Sequence, residues 1–203
     1  MQTQTKETQA AMSPDTALDM LKQGNQRFVQ SQKVDRDHNQ QVTETTGGQY
    51  PFAVVLSCID SRVPAEIVFD QGIGDIFSVR VAGNVVNEDV LGSIEYGCKV
   101  AGSKVLVVMG HTKCGAVTSA CKGVELGNIT PLLAKIKPAV QAIEPGGTVS
   151  DPDKIEEVAV KNVELSIDQI RKESPILAEM EKNGEIKIVG ASYSVATGAV
   201  EFL

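Results

Sequence analysis

The sequence predicts an α/β fold: a mostly parallel central sheet flanked by helices, with an N-terminal helical arm and a C-terminal antiparallel edge strand or hairpin. Three observations carry this. Short, continuous apolar runs rich in β-branched residues, at 52–56, 76–81 and 104–109, read as strands buried on both faces. Between and beyond them lie Ser-Pro, Thr-Pro and Asp-Pro pairs, in which a side-chain oxygen can cap a helix whose first position proline takes. Strands alternating with helices build a parallel sheet, and two final apolar runs around Thr197-Gly198 fit a hairpin.

Taken in order, residues 1–12 are polar and predict a disordered lead-in. Ser13 and Pro14 start a helix of roughly four turns that carries Leu18, Leu21 and Phe28. The stretch that follows, through Gly47-Gly48, is polar and reads as loop. Residues 1–45 therefore form an arm, either solvated or packed on another subunit, and 46–203 form one α/β core, a single domain in all.

After the first strand, Pro64 opens a short helix to about Asp70. The second strand closes at Ala82-Gly83-Asn84, and a helix runs from about Asn87 to Val100. After the third strand, Cys114 opens a helix that stops near Gly123. Thr130-Pro131, Asp151-Pro152 and Ser174-Pro175 start three more, ending near Ile143, Lys172 and Gly184. Strands at 186–193 and 199–203 finish the chain.

The formal charge of −7 argues against a nucleic-acid partner, and no basic run tracks phosphates. No apolar stretch is long enough to span a membrane, and the polar start lacks the apolar core of a signal peptide. Cys58, Cys98, Cys114 and Cys121 are expected to be reduced in a cytoplasmic setting; a processed periplasmic form is the alternative. Cys98 and Cys121 read as core residues.

The chemistry lies in two stretches, each between a strand and a helix: Cys58-x-Asp60-x-Arg62 and His111-x-x-Cys114. Either alone is a weak signal. Together, at the C-terminal ends of buried strands, they can close on one ion at the sheet edge where ligands commonly bind. Two thiolates and an imidazole suit zinc, and three protein ligands leave a fourth position open. Gly110 and Gly115 are read as permitting close backbone approach. Asp60 could fill the fourth position or accept a proton, and a bidentate pair with Arg62 would hold it off the metal. His38, the only other histidine, reads as solvated and idle.

These paired motifs, with similarity from about Gln49 to Ala120 and again from Gly190 to Phe202, resemble the signature of the β-class carbonic anhydrases. The resemblance implies zinc held by Cys58, His111 and Cys114, with Asp60 and Arg62 as a catalytic dyad. It implies reversible hydration of CO₂ to bicarbonate by zinc-activated hydroxide, in a homodimer or dimer-based tetramer whose N-terminal arm embraces the neighbouring subunit. Gln49, Phe77, Ala82, Tyr96 and Gly115 fall at substrate-pocket positions, Phe77 and Tyr96 at ones often contributed across the dimer interface. Arg80 and Tyr193 match two members of a regulatory trio whose third, a tryptophan, is replaced by Val55. That departure implies an open site with little bicarbonate inhibition. Two alternatives stand beside this reading: hydrolysis of carbonyl sulfide or carbon disulfide at the same zinc, and a non-catalytic zinc–thiolate redox module.

Overall fold

The computed structural model describes residues 3–203. The apolar runs at 52–56 and 104–109 become strands β1 (Ala53–Ser57) and β3 (Val105–His111), buried at every position. Burial on both faces accounts for their lack of polar alternation. With β2 (Ile76–Arg80), β4 (Lys187–Tyr193) and β5 (Val200–Phe202) they form a sheet in the order β2-β1-β3-β4-β5. The first four strands are parallel, and β5 returns antiparallel along β4. The fold is the α/β arrangement the sequence predicts.

Helices cover both faces. On one, α2 (Pro14–Val29) and α4 (Ala65–Val68) bury Ala17, Leu21, Val68 and Phe69 against Ala53, Val55 and Val107. On the other, α5 (Glu88–Glu95), α9 (Pro152–Glu173) and α10 (Pro175–Lys182) bury Ile94, Val163, Ile170 and Leu177 against Val54, Leu56 and Leu106. A third cluster joins α6 (Gly115–Cys121), α7 (Ile129–Ala134), α8 (Lys137–Ile143) and α9 beyond the strand ends, and it includes Cys58 and Cys114.

Several expectations change. Met1 and Gln2 lie outside the described residues, but the rest of the lead-in is ordered by helix α1 (Lys6–Ala10), closed by a capping box between Thr5 and Thr8. Its buried Gln9 amide donates to the carbonyls of Pro51 and Ala101, both at 2.8 Å. The expected loop after α2 contains α3 (His38–Thr45), capped by Asp37, and buries Gln41, whose Oε1 accepts the Ile73 N–H at 3.2 Å. Both helices are anchored by glutamine rather than by an apolar stripe, so hydrophobic periodicity gives no warning of them. Helix α2 buries its apolar face on its own sheet and is no solvated arm.

Pro64 is the cap of α4 rather than its first residue, and that helix ends at Val68, short of Asp70. Thr130 is not a cap: α7 begins at Ile129, and the Thr130 hydroxyl accepts the Leu126 N–H at 2.8 Å. The helix expected to run to Ile143 is two helices, because Pro138 cannot continue the pattern and sits instead in the first turn of α8.

Candidate metal centre

Ser57 pairs with both Arg80 and Met109, so the ends of β1, β2 and β3 lie side by side. Cys58 leaves β1, His111 ends β3, and Cys114 caps α6. The two sulfurs lie 4.0 Å apart, and the nearest donor atoms of all three residues lie within 4.8 Å of one another. A tetrahedral zinc with Zn–S bonds of about 2.3 Å would hold its sulfurs roughly 3.8 Å apart, close to that separation. His111 Nδ1 lies 2.9 Å from the Thr112 carbonyl, which fixes its proton there and frees Nε2. That Nε2 is buried and has no hydrogen-bond partner. An orphaned buried nitrogen beside two buried sulfurs fits a metal ion.

The site's electrostatics agree. Hydrogen bonding from the Cys114 thiol, 4.0 Å away, and after it from the Gly83 amide, pulls the Cys58 thiol down against the opposing effect of burial. Cys58 pushes the Cys114 thiol up, while the Ala116 and Val117 amides at the start of α6 oppose that rise. The Gly83 N–H lies 3.3 Å from Cys58 Sγ. Gly83 is left-handed, with φ +69°, and its carbonyl accepts from Asn162 of α9 at 2.8 Å. Gly110 is required by contact: a Cβ there would meet Val163 Cγ2 at 2.8 Å. Gly115 is not, because a Cβ there meets nothing within 4 Å, so packing gives no support to the role expected for it.

Asp60 and Arg62 form a closed unit. Arg62 Nε and Nη2 donate to Oδ1 and Oδ2 at 2.9 and 2.8 Å, and the Arg62 backbone N–H donates to Oδ1 at 2.9 Å. These bonds, Arg62 first, hold the Asp60 carboxyl far below the usual carboxylate range. Asp60 Oδ2 is 3.9 Å from His111 Nε2, which places the carboxylate at the rim of the metal cluster. Arg80 buttresses the same loop, donating to the carbonyls of Cys58 at 3.0 Å and Asp60 at 2.6 Å. Tyr193 is buried beside the dyad, its phenol pushed up chiefly by burial.

The remaining expected site residues divide. Ala82 starts the turn Ala82–Asn84 and lies beside the Gly83 amide. Phe77 and Tyr96 pair edge to face, with centroids 6.3 Å apart, and line an open cavity of about 690 Å³ with Arg80 and Glu88. Phe77 stands opposite Val54, four residues before Cys58, which puts it roughly 13 Å down the strand from the metal cluster. Gln49 is exposed and precedes Pro51, at the N-terminal edge of the sheet. This chain therefore brings neither Gln49 nor the Phe77–Tyr96 pair to its own metal cluster. Cys98 and Cys121 are buried, free and separate from the cluster, as core residues would be. His38 is exposed.

A family model described as carbonic anhydrase matches residues 53–200. A solved β-carbonic anhydrase from Coccomyxa, in complex with acetazolamide, is 25% identical, with a TM-score of 0.71 over 79% of this chain and 75% of that one. The chain belongs to the β-class carbonic anhydrase family. It is 36% identical to a carbonic anhydrase of Mycolicibacterium smegmatis over 93% of both chains. It is 35% identical to carbonic anhydrase 2 of Mycobacterium tuberculosis, over 92% of this chain and 91% of that one. One of two tetrameric β-carbonic anhydrases from Sordaria macrospora shares the fold, with 24% identity and a TM-score of 0.72 over 80% of this chain and 85% of that one. Among the described residues, no helix is long and apolar enough to cross a membrane.

Proposed function

We propose that this chain catalyses the reversible hydration of CO₂ to bicarbonate and a proton, with zinc held by Cys58, His111 and Cys114. The observation that carries the reading is the buried, unpartnered His111 Nε2, which converges on two buried cysteine sulfurs beside the Asp60–Arg62 pair. A zinc ion there would supply the Lewis acidity that makes water a nucleophile near neutral pH.

The chain's own groups supply the rest. Arg62 hydrogen-bonds both oxygens of Asp60 and so competes with a metal for them, which favours an open fourth position with the carboxylate at its rim. Asp60 is ionised at any working pH, so it serves as a hydrogen-bond acceptor that orients a reacting water. A carboxylate so acidic is a poor store for a proton, which passes on to water or buffer. Ala82 and Gly115 lie beside the ligand turns and contribute small walls to the pocket.

Gln49, Phe77 and Tyr96, at the far end of their own sheet, are best used in the pocket of a neighbouring copy. That use calls for a homodimer or a tetramer built from dimers, in line with the tetrameric relative. Val55 is buried in β1, in place of the regulatory tryptophan, so bicarbonate should inhibit weakly. Four free, buried cysteines suit a reducing, cytoplasmic setting.

The test is stopped-flow CO₂ hydration by zinc-loaded protein across roughly pH 6.5 to 9, the range in which a zinc-bound water titrates, with carbonyl sulfide assayed in parallel. Rapid turnover of CO₂ supports the reading. Zinc-loaded protein that ignores CO₂ at every pH would overturn it, in favour of sulfur-substrate hydrolysis if carbonyl sulfide is consumed and of a regulatory zinc–thiolate module if not.

A further inference from the structure

One residue between two of the metal donors is held in an unfavourable shape. Lys113 follows His111 and Thr112, precedes Cys114, and has a left-handed backbone, φ +55°. Glycine adopts that conformation freely and lysine does not. The two polar backbone groups of the residue are clamped from opposite sides. Its N–H donates to Glu156 Oε1 at 2.9 Å, and its carbonyl accepts from Arg62 Nη2 at 3.3 Å.

Glu156 stands in the second turn of α9, and that helix is registered tightly against the metal strand. Val158, Ala159 and Val163 are buried, and Val163 fills the space that a side chain at Gly110 would need. The same helix holds the other left-handed turn of the site, through the bond from Asn162 to the Gly83 carbonyl. Glu156 is therefore a carboxylate on a rigid element, 43 residues from its partner, making a charge-assisted bond to the peptide between two donors.

We propose that Glu156 is a positioning residue for the metal centre. It keeps Lys113 left-handed, so that His111 and Cys114 converge. It also presents the Lys113 carbonyl to Arg62 and so helps aim the Asp60 carboxylate. The inference rests on Cys58, His111 and Cys114 holding zinc, and it adds a residue that the donor set does not contain.

The experiment measures zinc affinity by chelator competition in the full-length protein, with the absorption spectrum of the cobalt-substituted form as a second readout. Failure of the unaltered chain to bind zinc would sink the metal reading itself, independently of Glu156. If the unaltered chain binds, Glu156→Ala should weaken zinc about 10- to 100-fold, the range seen when an outer-shell partner is lost. Glu156→Gln, which keeps an acceptor oxygen, should lose less. The deciding variant adds Lys113→Gly to Glu156→Ala: glycine enters the left-handed turn without the penalty that lysine meets there, so zinc affinity and the cobalt spectrum should recover towards the native values. A merely structural Glu156 would lower the melting temperature of the single and double variants alike and leave zinc affinity unmoved. Wild-type affinity in Glu156→Ala, or no recovery in a double variant that circular dichroism shows to be folded, would overturn the proposal.

Discussion

Replacing Asp70 with asparagine should loosen the N-terminal arm at a single, calculable point. The Asp70 side chain is 2% exposed and receives Arg27 Nε at 2.6 Å and Arg36 Nη1 at 2.5 Å. It also accepts the Val34 N–H at 3.3 Å, so one carboxylate ties the end of α2 and the chain beyond it to the end of α4. Asp70 has φ +47°, a conformation asparagine tolerates as well as aspartate does, so the substitution removes charge and leaves shape. Removing one partner of a buried ion pair costs about 3 to 5 kcal/mol. Arg27 is 29% exposed and partly screened, while Arg36 is 5% exposed and is not, so the low end, about 3 kcal/mol, is expected. In a chain of this size that corresponds to a fall in Tm of roughly 6 to 12 °C.

The pH dependence gives a second check. Burial pushes the Asp70 carboxyl up, but the pairs with Arg27 and Arg36 outweigh it and the net shift is downward. A carboxyl depressed in the folded state contributes stability that is fully present above its unfolded pKa, about 3.9, and is lost as pH falls through the folded value. The Tm gap between the native chain and Asp70→Asn should therefore be full at neutral pH and narrow below about pH 4. Thermal melts followed by circular dichroism at several pH values would show it. Equal Tm values at neutral pH, or a gap unchanged down to pH 3, would refute the reasoning.

Two further substitutions probe the metal centre. Asp60→Asn should lower CO₂ hydration by about 10- to 150-fold, which is the roughly 1.5 to 3 kcal/mol of a hydrogen bond to a charged acceptor, with zinc retained by metal analysis; undiminished hydration would remove Asp60 from the mechanism. Gly83→Ala would place a Cβ 2.6 Å from Ile136 Cδ1 in a left-handed residue, at a cost of about 1 to 3 kcal/mol. It should also displace the amide that bonds Cys58 Sγ, so denaturant unfolding and zinc affinity should both weaken; wild-type values for both would show that the turn tolerates a side chain.

What the sequence determined by itself was local. The strands declare themselves as apolar runs, and the cap pairs Ser13-Pro14, Asp151-Pro152 and Ser174-Pro175 place three helix starts correctly. Cys58, His111 and Cys114 announce a soft-metal set by residue type, and Asp60 and Arg62 are close enough along the chain for their pairing to be expected. Such features depend on dihedral preference, side-chain chemistry and neighbours a few residues away, all of which are written in the order of the residues.

Tertiary structure decided the rest. Helices α1 and α3 depend on Gln9 and Gln41 reaching backbone groups tens of residues distant, and no periodicity encodes such bonds. The stacking of strand ends brings Cys58 and His111 together, whereas the same register carries Phe77, and with it the Tyr96 ring packed against it, away from them. Glu156 is one acidic residue among many until α9 sets it against Lys113. These outcomes turn on which surfaces meet when the chain closes, because burial and long-range hydrogen bonds belong to pairs of distant segments and to neither alone.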